Sequence, residues 1–132
     1  MISVIMGIHR LDQYVYMAIE SILRQINVEF EFVIVANGRN CFQLKDILEK
    51  KYIDDPRVTI YTTPIGQLSH ALNIALAHTK YDYIARMDSD DVSHSDRLVK
   101  QIEYLLRNDL DMVGSSIKLI NEKGVVVGSR SY

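Results

Sequence analysis

The sequence predicts an α/β fold in which a mostly parallel sheet is flanked by helices. Short apolar segments rich in β-branched residues alternate with segments whose apolar residues recur every three or four positions. Strands and helices in this alternation form right-handed crossovers, which make the neighbouring strands parallel. The 132 residues suit one domain, and an apolar fraction of 48 % is enough for a core. We therefore expect a single domain over residues 1–132.

The first strand and helix are predicted between residues 2 and 26. Residues 2–6 are apolar and β-branched, which is typical of a buried parallel strand. Asp12 is placed to cap the helix that follows. The spacing of apolar residues predicts that this helix buries a face made of Val15, Ala18, Ile19, Ile22 and Ile26.

Three more strands are predicted at residues 30–36, 58–61 and 83–87, with Asn37-Gly38 as a turn after the first of them. Helices lie between them in the prediction. Their expected buried positions are Leu44, Ile47 and Leu48 in one helix, and Leu68, Ala71, Leu72, Ala75 and Leu76 in the other.

The last third of the chain predicts a helix, a strand and a hairpin. The helix covers roughly residues 95–107, and residues 112–116 read as a strand. Residues 117–120 and 125–127 flank a turn-like segment and predict two hairpin strands. The expected buried positions of the helix are Leu98, Ile102, Leu105 and Leu106.

Charge and cysteine content argue against several functions. Fifteen basic residues against seventeen acidic ones leave a charge of -2, too little for a general affinity for nucleic acid. Cys41 is the single cysteine and has no internal disulfide partner, which favours a reducing compartment. No apolar run approaches the length of a membrane span. We expect a cytoplasmic chain, whose association with the inner face of a membrane would need segments outside these residues.

Polar residues follow three of the predicted strands, at 7–10, 37–39 and 88–91. Ligands of open parallel sheets bind beyond the carboxyl ends of the strands, where strand order reverses. The segment Asp88-Ser89-Asp90-Asp91 is the most informative, because its three carboxylates repel one another unless a cation neutralises them. Mg²⁺ and Mn²⁺ prefer such oxygen ligands. The alternative is a solvated loop whose aspartates cap the next helix.

These residues also resemble a known family. Residues 84–93, followed by Asp96-Arg97-Leu98 and Gln101, resemble the DXD segment of family 2 glycosyltransferases. The other segments that resemble the family are its first strand at 2–6, first helix at 18–25 and second strand at 30–35, then 71–73, 113–115 and the hairpin. The resemblance covers nearly the whole chain and is far more specific than a DXD triplet alone.

The resemblance implies a GT-A fold, a nucleotide-sugar donor (usually a UDP-sugar), a saccharide or other hydroxyl acceptor, and a divalent cation, Mn²⁺ or Mg²⁺. By position, Asp90 is expected to bind the metal, and Asp88 to face the ribose or the metal's water shell. The predicted metal ligands are therefore Asp88 and Asp90. The predicted nucleotide-binding residues are Gly7, Ile8, His9, Asn37, Gly38, Asp88 and Ser89.

Two segments depart from the family pattern. Gly7-Ile8-His9-Arg10 stands where the family usually has Pro-x-Tyr-Asn, and Ala36-Asn37-Gly38-Arg39 stands where it has Asp-Asp-Gly-Ser. Both segments normally form the nucleobase pocket, so the expectation of uridine specificity is weakened. Asn37 keeps a donor and an acceptor for a base edge, and His9 keeps a ring for stacking.

Two alternatives follow from these departures. A non-catalytic nucleotide-binding or interaction module would keep the fold and the acidic loop but lose the pocket. A nucleotidyltransferase is disfavoured, because no glycine-rich, basic phosphate loop lies near the N-terminus.

The resemblance also bears on the catalytic base. In inverting members of the family a carboxylate from the second half of the protein acts as general base. We expect that half, and the base, beyond Tyr132. Residues 1–132 are then the donor-binding part, which is expected to lack transferase activity alone.

Overall fold

The computed structural model describes every residue from Met1 to Tyr132. Its first eight elements alternate strictly between strand and helix, as the sequence predicts. The elements are β1 (Ile2–Ile8), α1 (Gln13–Leu23), β2 (Phe30–Asn37), α2 (Cys41–Lys51), β3 (Val58–Thr63), α3 (Leu68–Ala77), β4 (Tyr83–Arg86), α4 (Arg97–Arg107), β5 (Ile117–Ile120) and β6 (Val126–Arg130). None of the helices combines the length and the apolar character that crossing a membrane requires.

Four strands form one parallel sheet in the order β3-β2-β1-β4. In chain order, β2 lies next to β1 and β3 lies next to β2. The fourth strand, β4, then lies on the other side of β1. With right-handed crossovers, this reversal puts the third helix on the opposite face of the sheet from the first two. The predicted α/β fold with a mostly parallel sheet is confirmed.

The two faces of the sheet carry cores of unequal size. On one face, residues of α1, α2 and α4 pack with the strands in a cluster of 19 buried residues. On the other face, Ala71 and Ala75 of α3 pack on Ile5, Val33 and Val35. Small alanine side chains let α3 lie close to the sheet. The larger core buries the apolar stripe that the sequence predicts for α1.

The N-terminal cap predicted for α1 is present. The Asp12 carboxylate accepts hydrogen bonds from the backbone N–H groups of Tyr14 and Val15, at 2.9 and 3.0 Å. Two of the donors that have no partner within the helix are thereby satisfied.

Some positions predicted to be buried are exposed. Ile26 lies beyond the end of α1 at Leu23, so the helical spacing no longer applies to it. The others lie on the flanks of their helices, because a helix on a sheet buries a stripe narrower than its whole apolar face. These exposed residues are Ile47, Leu68, Leu76 and Leu106.

The strand predicted at residues 112–116 is wrong, whereas the hairpin is confirmed. Residues 112–116 form no ladder, because no strand lies beside them, and Met112 is 85 % exposed. The antiparallel β5 and β6 are joined by a turn in which the Asn121 side chain accepts from the backbone of Lys123 and Val125. Gly124 has a φ of 78°, a conformation that favours glycine.

A buried polar contact holds the beginning of β4 against β1 and β2. Ser3 donates its hydroxyl hydrogen to Glu31 Oε1 at 2.6 Å, and both side chains are buried. The backbone N–H of Lys80 also donates to Glu31 Oε1, and the N–H of Tyr81 donates to Ser3 Oγ at 3.2 Å. Because Lys80 and Tyr81 lie just before β4, these contacts fix the point at which β4 enters the sheet.

Replacement of this carboxylate should destabilise the fold. Glu31→Ala leaves the Lys80 N–H and the Ser3 hydroxyl without their acceptor. An unsatisfied buried polar group costs about 1–3 kcal/mol, so we expect a loss of this size in the free energy of unfolding, measured by urea titration. Glu29→Ala is the matched control, since Glu29 is exposed two residues earlier. Equal stability of the two variants would contradict the structural role of Glu31.

Candidate functional site

The predicted site residues lie at the carboxyl edge of the sheet, but β1 extends further than predicted. Of the three nucleotide-binding residues predicted here, Gly7 and Ile8 belong to β1 itself, and His9 is exposed in the loop after it. The Ile8 side chain is fully buried in the larger core. Its backbone is therefore the part that is available for contacts at this edge.

Gly7 is required for the packing of α3 on β1. A Cβ at Gly7 would lie 2.9 Å from Leu68 Cδ1 and 3.3 Å from Ala71 Cβ, both of which belong to α3. The second contact is tighter than most Cβ contacts in proteins, and the Ala71 Cβ cannot rotate away, so α3 itself would have to shift by a few tenths of an ångström. The missing side chain thus sets how close the N-terminal end of α3 comes to the site.

Asn37 links the ends of β1 and β2. It is the last residue of β2 and is buried, and its Nδ2 donates to the Ile8 carbonyl oxygen at 2.9 Å. The next residue, Gly38, has a φ of 93° and donates its N–H to the Thr63 carbonyl oxygen at 3.0 Å. One N–H of the Asn37 amide is thus engaged within the protein, which leaves the amide oxygen and the second N–H for a ligand.

The acidic loop, residues 88–91, follows β4 immediately and forms a tight turn. The N–H of Asp91 donates to the Asp88 carbonyl oxygen at 3.3 Å. Asp88 and Ser89 are half-buried, whereas Asp90 is exposed. Arg86 donates to Asp88 Oδ1 through Nε at 3.1 Å and through Nη2 at 2.9 Å. Arg86 is thus paired with a carboxylate of the acidic loop.

The acidic loop carries more negative charge than its surroundings balance. Partial burial raises the pKa of the Asp91 carboxyl above its ordinary value, and the Asp90 and Asp88 carboxylates raise it further. The guanidinium groups of Arg97 and Arg86 act in the opposite direction but do not cancel the rise. A cation placed at the loop would relieve this repulsion.

The residues of the loop fit a divalent cation that a ligand helps to hold. No group of three or more histidine, cysteine or acidic side chains converges into a ready-made metal cage. Mg²⁺, however, is commonly bound by one or two carboxylates together with substrate phosphates. Asp88 and Asp90 provide two carboxylates separated by one residue, Ser89. The Asp90 side chain makes no hydrogen bond or ion pair that a cation would have to displace.

Helix α1 and Gln25, two residues beyond its end, support the segment that follows the acidic loop. Ser21 Oγ accepts from the backbone N–H of Ser93 at 3.0 Å. The buried Gln25 side chain donates to the His94 carbonyl oxygen and accepts from the Leu98 N–H at 2.9 Å. These contacts were not predicted from the sequence. The available signal was the presence of two polar residues, four positions apart, on the apolar side of a predicted helix.

Two other residues with reactive side chains are in packed or stacked environments. Cys41 is buried, and His78 stacks on Tyr61 with ring centroids 3.9 Å apart. A surface cavity of about 460 Å³, lined by residues 51–52 and 54–57, lies before β3 and thus at the amino edge of the sheet. It is therefore separate from the acidic loop.

Comparison with known proteins gives a consistent result. Residues 3–131 match the family model described as glycosyl transferase family 2. The chain is 54 % identical over its full length to the O-antigen biosynthesis glycosyltransferase WbnJ of Escherichia coli, and covers 52 % of that protein. It is 35 % identical to the bifunctional glycosyltransferase pgtA of Dictyostelium discoideum, over 83 % of this chain and 15 % of that one. The chain spans about half the length of the first relative, and less of the second.

Solved structures share the fold. TarS 1–349 from S. aureus, in complex with UDP-GlcNAc, superposes with a TM-score of 0.70 over 82 % of this chain and 32 % of that chain, at 20 % identity. The mannosyltransferase PcManGT from Pyrobaculum calidifontis, in complex with GDP-Man and Mn²⁺, superposes with a TM-score of 0.67. The superposition covers 92 % of this chain and 35 % of that chain, at 17 % identity. These likenesses confirm the GT-A fold.

The contact between Gln25 and α4 leads to a prediction about the segment after the acidic loop. Gln25→Met keeps the length of the side chain but leaves the buried Leu98 N–H without an acceptor. We expect the free energy of unfolding to fall by about 1–3 kcal/mol, and hydrogen exchange at Leu98 to become faster. Gln43→Met on the exposed face of α2 is the control. If both variants behave alike, Gln25 does not support this segment.

Proposed function

Because this chain belongs to glycosyl transferase family 2, we propose that it binds a nucleotide-diphosphate sugar whose sugar is transferred to an acceptor hydroxyl. The observation that carries the proposal is the position of the acidic loop. Asp88 and Asp90 lie at the carboxyl end of β4, beside β1, where strand order reverses. Open α/β sheets bind their ligands at this place.

The proposed roles divide between metal and nucleotide. Asp90 and Asp88 would hold Mn²⁺ or Mg²⁺, which when bound offsets the negative charge that develops on the departing diphosphate. Arg86 engages Oδ1 of Asp88, so an ion would bind the other oxygen, Oδ2, or would share Oδ1 with Arg86 if the ion brings further ligands. Diphosphate oxygens are such ligands.

The nucleoside is assigned to the ends of β1 and β2 and to Ser89. The exposed His9 ring is free to stack on a base, and the Asn37 amide oxygen is free to accept from one. Gly7, Ile8 and Gly38 would contribute backbone rather than side chains. An amide oxygen that accepts from a ring N–H suits uracil and guanine alike, so the base must be determined by experiment.

A UDP-sugar and a saccharide acceptor are the proposed substrates. TarS was solved with UDP-GlcNAc, and PcManGT with GDP-Man and Mn²⁺. The relative WbnJ is described as an O-antigen biosynthesis enzyme, which supports a role in polysaccharide synthesis. Two carboxylates in this loop are suited to hold the cation through which a charged diphosphate donor would bind in each case.

A second candidate is a non-catalytic module that keeps the fold but binds nucleotide weakly or not at all. The departures of residues 7–10 and 36–39 from the family pattern favour it, and one N–H of the Asn37 amide is already donated to the Ile8 carbonyl oxygen. The experiment below separates the two candidates.

The donor site predicts nucleotide binding that depends on both metal and Asp90. UDP, GDP and UDP-sugars would be titrated calorimetrically with and without Mn²⁺. We expect Asp90→Ala to weaken Mn²⁺-dependent binding at least about tenfold, or about 1.4 kcal/mol, because an ion ligand is lost. Asp54→Ala is the matched control: it removes the same charge from an exposed position before β3, at the opposite edge of the sheet.

Each other outcome has a definite meaning. Binding that is equal with and without Mn²⁺, or equal in Asp90→Ala and Asp54→Ala, removes the acidic loop from the donor site. No binding of any nucleotide to the wild type supports the non-catalytic module.

A further inference from the structure

Arg97, the first residue of α4, uses its whole guanidinium group in contacts around the acidic loop. Nη2 donates to the Arg86 carbonyl oxygen at 2.9 Å, and Nη1 donates to Ser93 Oγ at 3.0 Å and lies 3.5 Å from Met87 Sδ. Nε donates to Gln101 Oε1 at 3.1 Å within the same helix. All three nitrogens therefore have partners, and the side chain is held in one orientation.

The partners of Arg97 lie on both sides of the acidic loop. Arg86 and Met87 precede the loop, whereas Ser93 follows it. The planar guanidinium thus joins the chain entering the loop to the chain leaving it. This limits the separation of the two loop ends, and hence the conformations open to Asp88 and Asp90.

Arg97 also supplies positive charge without occupying a carboxylate. It lies close enough to Asp91 and Asp88 to be influenced by both, yet forms no ion pair within 4.0 Å. Arg86, by contrast, donates twice to Asp88 Oδ1. The two arginines differ in this respect: Arg86 competes with a cation for Asp88 Oδ1, and Arg97 does not.

We propose that Arg97 is a positioning residue, whose forked guanidinium holds the acidic loop in the conformation that accepts a divalent cation and a diphosphate. The part of this inference that concerns ligands rests on the proposed function, whereas the part that concerns loop order does not. A lysine at this position would keep the charge but could not span the Arg86 carbonyl and the Ser93 hydroxyl in the same way.

The test uses Arg97→Gln, Arg97→Lys and the control Arg107→Gln, which removes an arginine from the exposed far end of α4. Hydrogen exchange at the Asp91 and Ser93 amides reports loop order without any ligand. Calorimetric titration of UDP, with and without Mn²⁺, reports ligand binding. A purely structural role would not make the loss of UDP affinity depend on Mn²⁺.

We expect both Arg97 variants to exchange faster at the loop amides than the control. Loss of residues that orient metal ligands typically costs 10- to 100-fold in affinity, so we expect Mn²⁺-dependent UDP binding to weaken about 10- to 100-fold in both. Wild-type loop exchange in Arg97→Gln overturns the proposal. Full rescue by Arg97→Lys also overturns it, because charge would then suffice.

Two further outcomes are covered. If the wild type binds no UDP with Mn²⁺, the proposed function fails, and loop exchange still decides whether Arg97 orders the loop. If the Arg97 variants do not fold, Ser93→Ala replaces them: it removes the acceptor that Arg97 uses on the far side of the loop, together with the hydrogen bond from the Ser93 hydroxyl to Met87 Sδ at 3.3 Å. Faster exchange at Asp91 in Ser93→Ala then supports the proposal, and unchanged exchange overturns it.

Discussion

The central position of β1 is the constraint on which the rest of the structure depends. All seven of its residues are buried, and it pairs in parallel with β2 on one side and β4 on the other. The carboxyl ends of these strands therefore meet at one edge of the sheet. Strands β2 and β3 are added on one side of β1, and β4 is added on the other side. The third helix therefore lies on the other face of the sheet, and the loops after β1 and β4 lie side by side. The parallel pairing of β4 with β1 therefore determines the position of the acidic loop.

Much of the fold was predictable because each parallel strand and each helix leaves a local pattern. The strands of the sheet are apolar and β-branched, and the helices repeat apolar residues every three or four positions. The prediction for residues 112–116 failed because a strand is defined by a partner, and apolar sequence alone does not supply one. Ile26 was assigned to a buried face because periodicity continues past the residue at which the helix ends.

The candidate site was less predictable, because its geometry depends on contacts between distant parts of the chain. The acidic residues and their place after a strand could be read from the sequence. The burial of Ile8 and the hydrogen bond from Asn37 to its carbonyl arise only when β1 and β2 lie side by side. Arg97 belonged to the recognised motif, but nothing in the spacing showed that its side chain would reach back to the end of β4.

The edge position of β4 has a thermodynamic consequence. This strand has four residues and one neighbouring strand, and side chains hold it at both ends: Ser3 and Glu31 before it, and Arg97 after it. Local opening of an edge strand costs less free energy than unfolding of the whole domain. In the proposed donor site a ligand would bind the closed strand, so any substitution that populates the open strand would weaken its apparent affinity. Ser3 and Glu31, which lie at the opposite end of β4 from the acidic loop, can therefore change the affinity for a ligand at that loop.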